Sequence, residues 1–182
     1  VDADALVVLG GSMSCQDDAE ASWLAPTRQL ISRTVRAGTP FLGICLGHQL
    51  ATVALGGQVR TSDHFCLGAA EMHLTPEGKK DPLLSVYDGH RGIHFNNDVA
   101  VVLPEDAVLL ARDPTGQIEA VRFAERAWGV QFHPECTPEI FDAWTIGHGE
   151  KEWQQRLPWS EAVTVAETVR RDIDTVNAEE AF

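Results

Sequence analysis

A cysteine framed by two glycines at the end of an apolar run, Gly43-Ile44-Cys45-Leu46-Gly47, is an arrangement that can make a nucleophile. An apolar strand that turns sharply into a helix strains the backbone at the bend. Glycines on both sides let neighbouring backbone pass without Cβ clashes. The thiol then stands at a helix N-terminus, where amide N–H groups and the helix dipole favour thiolate over thiol. The N–H of Leu46 points toward any oxyanion formed on an attacked carbonyl. Alone, these five residues suit a small buried hydrophobe equally well, since free cysteine is often one.

Gln131-Phe132-His133-Pro134-Glu135 supplies the groups a cysteine nucleophile needs. In extended chain, residues two apart point to the same side, so His133 and Glu135 can face one pocket. His133 would take the thiol proton and return one to the leaving group, while Glu135 would orient the imidazole and stabilise its charge. A third stretch, Gly10-Gly11-Ser12-Met13-Ser14, follows a strand with small residues whose backbone N–H groups can turn inward as part of an oxyanion hole. Each of the three is weak in isolation, and an H-x-E is common by chance. Their joint occurrence at strand ends is much stronger. His48 is close enough on the helix to approach Cys45, but it has no evident acidic partner and is set aside as the base.

The elements that must position these residues follow from the hydrophobic pattern. Ala5 to Leu9 is a buried strand, residues 23–37 form an amphipathic helix ended by Gly38, and Phe41 to Ile44 is a second buried strand. Helix returns from Leu46 to Leu55. The middle of the chain reads as short strands at 58–62, 68–75, 91–95, 99–103, 107–112, 117–124 and 127–132. Thr137-Pro138 starts a helix running to about Ile146, residues 148–159 form a connection, and residues 160–177 form a C-terminal amphipathic helix. The fold class expected is α/β, a mostly parallel central sheet with helices on both faces plus a smaller mixed or antiparallel strand region, in one domain over 1–182. Sites in such sheets lie beyond the carboxyl ends of the parallel strands, where Gly10-Gly11 and Cys45 both fall.

With 14 Lys and Arg against 27 Asp and Glu, the net charge of −13 works against a nucleic-acid partner. No apolar run approaches the ~20 residues needed to span a bilayer, and no secretory signal is evident at the start. Neither a membrane partner nor export is therefore expected, and the cytoplasm is the default. Cys15, Cys45, Cys66 and Cys136 form no C-x-x-C pair, so neither a metal site nor a disulfide framework is expected. Nor is there a G-x-x-x-x-G-K-[ST] loop, and no cofactor is expected.

These residues together resemble a class I (triad-type) glutamine amidotransferase, in particular the glutaminase domain of GMP synthase and its stand-alone relatives. The likeness rests on three blocks: Asp4 to Ser14, Pro40 to Leu50 and Gly129 to Glu135. Weaker matches such as Leu74-Thr75-Pro76-Glu77-Gly78 and Asp81-Pro82-Leu83-Leu84 extend it to about Trp144. The resemblance implies glutamine as substrate, a γ-glutamyl thioester on Cys45, and an oxyanion hole from the backbone of Gly11 and Leu46. It also implies a substrate contact at Gln49 and ammonia passed to an acceptor, expected on a separate synthase chain. Two departures stand out. Asn96 and Asn97 occupy positions where relatives carry His and Gly, and the strand–helix–strand unit with which relatives begin is not within this sequence, so it is expected in the natural protein or is otherwise compensated. The first keeps a γ-glutamyl hydrolase or peptidase as an alternative, and a catalytically silent regulatory homologue is a third reading.

Overall fold

The computed structural model describes residues 3–147 and 159–180. The expected 148–159 connection lies outside them except for its last residue. Three apolar residues make β1 (Leu6–Val8), and α1 (Leu24–Arg36) buries Leu24, Ile31 and Val35 along one face. Gly38, at φ +71°, stops that helix as expected. β2 (Phe41–Ile44) runs into α2 (Leu46–Ala54), whose first seven residues are all buried.

A six-stranded mixed sheet in the order β1-β2-β8-β7-β6-β4 forms the centre, with β4 (His73–Leu74), β6 (Val108–Arg112), β7 (Ile118–Ala124) and β8 (Ala127–Val130). β1, β2 and β8 are parallel, and the pairings from β8 through β7 and β6 to β4 are antiparallel. The parallel part carries the elbow and the Gly-Gly loop. β3 (Gln58–Glu71) and β5 (Arg91–Val102) form a separate antiparallel ribbon. The breaks expected within 58–75 and 91–103 are mostly absent, because the ribbon absorbs residues 62–65 as an irregularity between Thr61 and Cys66 and continues.

One core lies between α1, α2 and the sheet and includes Leu24, Ile31, Phe41, Leu50 and Val121. The opposite face of the sheet packs Ile44, Leu110, Ala120 and Val130 against Leu84, from a segment with 3-10 turns at Gly78–Lys80 and Ser85–Tyr87. A third cluster joins the ribbon to α3 (Pro138–Gly147) and α4 (Trp159–Glu180) through Ile93, Phe141, Val169, Ile173 and Val176. The amphipathic character expected of the last helix is seen in its buried face of Val169, Ile173 and Val176. Among the described residues, no helix is long and apolar enough to cross a membrane.

Candidate active site

Cys45 is the one non-glycine residue with positive φ among the described residues, at φ +50° and ψ −105°. Its strain is held by neighbours. The Cys45 N–H donates to the Val130 carbonyl at 2.8 Å, and the Gln49 N–H donates to the Cys45 carbonyl at 3.0 Å. The flanking glycines are required by close approach. A Cβ on Gly43 would lie 2.6 Å from the Gly47 carbonyl carbon, and one on Gly47 only 2.0 Å from the Val8 oxygen. The elbow therefore packs its helix directly onto the end of β1.

His133 follows β8 and is nearly buried. Its Nδ1 lies 2.8 Å from Glu135 Oε1, and its ring is in hydrogen-bonding contact with Cys45, leaving Nε2 to face the sulfur. The two side chains meet on a turn, not along extended chain: β8 ends at Val130, and the Cys136 N–H donates back to the His133 carbonyl at 3.3 Å. The Gly10 loop runs close alongside, since a Cβ there would sit 2.8 Å from His133 Cε1. Burial works against the His133 charge. The hydrogen bonds to Cys45 and Glu135, and the charges of both, outweigh it and push the pKa up to about 9. His133 is thus poised as an imidazolium beside the thiol.

A cavity of about 760 Å³ opens here, lined by Gly10, Gly11, Cys45, Gln49, His133 and Glu135 together with residues of the ribbon and α3. Gly11 runs close to Leu46, since a Cβ on it would lie 2.8 Å from Leu46 Cδ2. Leu46 is the first residue of α2, so its N–H has no acceptor within the helix. Gln49 Nε2 donates to the Asp98 carbonyl at 2.8 Å and to Gln131 Oε1 at 3.3 Å. Its amide protons are spent within the protein, which leaves Oε1 to meet a ligand as an acceptor. Asn96, Asn97 and Asp98 line the same cavity, and Asn96 Nδ2 donates to the Asp98 carbonyl at 3.1 Å.

His48 is fully buried with neither ring nitrogen hydrogen-bonded, and burial lowers its pKa to about 4. It packs against Phe123 and Gly129 and takes no part in the cavity. Cys15, Cys66 and Cys136 form no disulfide, and burial raises the thiol pKa of each, to about 11 for Cys15 and about 12 for Cys136. Among the described residues, no cluster of His, Cys, Asp and Glu could hold a metal ion.

One neighbour of His133 was not legible in the sequence. Trp144 of α3 lies with its ring centroid 4.6 Å from that of His133. Only the helical period after Pro138 could have hinted at it, and period alone does not say what a helix covers.

Residues 1–147 match the family model described as Glutamine amidotransferase class-I. The chain is 31% identical over 153 residues to the glutamine amidotransferase-like protein YfeJ of Salmonella typhimurium, covering 82% of this chain and 63% of that one. It is 34% identical over 101 residues to a glutamine-hydrolyzing GMP synthase subunit of Methanothermobacter thermautotrophicus, covering 53% and 51%. The chain thus spans under two thirds of the length of each of these curated relatives. The crystal structure of a glutamine amido transferase from Methylobacillus flagellatus superposes with a TM-score of 0.80 at 25% identity, over 98% of this chain and 73% of that one.

Proposed function

The chain belongs to the class I glutamine amidotransferases, and from that membership we propose that it is a glutaminase working through a Cys45–His133–Glu135 triad. One observation carries the reading. The strained residue at the strand–helix bend is a cysteine, and it shares a cavity with a histidine already bonded to a glutamate.

The Cys45 sulfur attacks the side-chain amide carbon of glutamine, forming an S–C bond and moving the carbonyl electrons onto oxygen. The N–H groups of Gly11 and Leu46 stabilise that oxyanion. His133 gives its proton to the leaving nitrogen as the C–N bond breaks, releasing ammonia and leaving a γ-glutamyl thioester. Water then attacks the thioester with His133 taking its proton, and the S–C bond breaks to give glutamate. Glu135 fixes the ring by accepting from Nδ1, and Gln49 accepts from the bound substrate. One relative is named as a GMP synthase subunit, which supports an ammonia acceptor on a separate synthase chain.

The test uses full-length protein, with its synthase partner, and glutamine labelled at the side-chain nitrogen. Wild type is expected to release labelled ammonia and glutamate, and a folded Cys45→Ala variant neither. Turnover that persists in Cys45→Ala would remove the reading.

A further inference from the structure

The proposed chemistry needs His133 to hold a proton next to the sulfur and then surrender it, although burial opposes the charge. Four elements face its ring. Cys45 comes from the elbow and Glu135 from the same turn, and both favour the imidazolium. His94 comes from β5, paired at 2.6 Å with Glu119 of β7, and its charge acts against that of His133. The fourth neighbour, Trp144 of α3, is uncharged. Its ring plane is inclined 58° to the imidazole at a centroid separation of 4.6 Å.

From this geometry we infer that Trp144 is a positioning residue for the reaction, its indole holding the His133 ring toward Cys45 and stabilising the imidazolium. The inference rests on the triad reading above. An indole face attracts a cation placed within about 6 Å of its centroid. The bond from Nδ1 to Glu135 anchors the ring on the side away from Cys45 and is an axis about which the ring could pivot. Gly10 approaches Cε1 on one side and Trp144 covers another, so the pivot is restricted.

The indole is itself firmly placed. α3 begins two residues after Cys136, with the Thr137 hydroxyl capping the Ile140 N–H at 3.3 Å. Ile140, one turn before Trp144, lines the cavity, and Phe141 is buried in the ribbon core. Phe95 of the ribbon stands 5.9 Å from the Trp144 ring. Trp144 therefore ties the base to both α3 and the ribbon.

The experiment compares wild type, Trp144→Phe and Trp144→Leu, with kcat/KM for glutamine measured against pH. The basic limb reports loss of the His133 proton. It is expected to move down by roughly 0.4–1.5 pH units in Trp144→Leu and to return most of the way in Trp144→Phe. An imidazolium in contact quenches indole emission. The emission difference between wild type and Trp144→Phe should therefore rise as pH passes through the same window. Alkylating Cys45 should shift that rise to lower pH. A basic limb unmoved in a folded Trp144→Leu, or an emission difference flat across the window, overturns the inference. If the leucine variant does not fold, the emission measurement decides alone. Because emission requires no turnover, it separates this inference from the triad reading, which fails on persistent activity in Cys45→Ala.

Discussion

His48 lies three residues from Cys45, and its environment drives it in the opposite direction from His133. His133 has a thiol and a carboxylate to stabilise its charge, whereas His48 has only apolar walls, and burial lowers its pKa to about 4. The sign for stability follows. With a folded value below the unfolded ~6.5, the unfolded chain binds a proton between the two that the folded chain refuses. Stability present above pH 6.5 is therefore lost as pH falls through about 4, amounting to about 2 kcal/mol by pH 5. A His48→Leu variant should lack that loss and be no less stable at neutral pH, because it also removes two buried nitrogens without partners. Urea midpoints at pH 7 and pH 5 for both proteins check this. An equal drop in the variant would show that another group titrates. The sequence alone could reject His48 only for want of an acidic partner; its burial depends on β7 and β8, which are distant in the chain.

At the scale of the element, the elbow is where reading from the chain worked best, because its pattern is a steric requirement within five consecutive residues. Gly47 makes the point sharply. It sits in the first turn of a helix, where propensity alone favours alanine over glycine by about 1 kcal/mol. A methyl group there would meet the Val8 carbonyl oxygen at 2.0 Å, and that oxygen is backbone that cannot rotate away. Gly47→Ala is therefore expected to destabilise by about 3 kcal/mol or more. Gly38 has a left-handed φ of +71° and open space around it, so Gly38→Ala should cost only about 1–2 kcal/mol. Chemical denaturation of both variants tests the ranking, and a Gly47→Ala no worse than Gly38→Ala would contradict it. The middle of the chain was less legible for a related reason. Ser62 and Asp63 are turn-forming types, yet they lie within a strand whose pairing partner is about 30 residues away. His133 and Glu135 meet through a turn that begins at Pro134, where the sequence pattern predicts extended chain.

Across the whole molecule, the sheet carries the sulfur, while the β3–β5 ribbon carries Phe95, Asn96, Asn97 and Asp98 on another wall of the cavity. The shape of the cavity therefore depends on how the ribbon docks. Among its links, the His133 N–H donates to the Ile93 carbonyl at 2.8 Å, and the buried His94–Glu119 pair bridges β5 to β7. His94 Nδ1 faces the Gly92 carbonyl at 3.0 Å while Nε2 faces the carboxylate. Both ring nitrogens thus face oxygens, and although burial opposes the charge, Glu119 raises the His94 pKa. Because the folded value lies above the unfolded one, the pair's contribution is complete below about pH 6.5 and fades as pH rises through the raised value. Removing one partner leaves the other charge buried and unpaired, so Glu119→Ala should cost about 3–5 kcal/mol. Replacing both with apolar residues, His94→Leu with Glu119→Met, should recover most of that loss. The recovered protein would still lack a directional bond between ribbon and sheet. Its KM for glutamine is accordingly expected to rise even as its urea midpoint returns toward wild type. A double variant as unstable as Glu119→Ala would mean that the two side chains do not act as a pair. One with restored stability and unchanged KM would mean that the ribbon is aligned by its remaining contacts with the sheet.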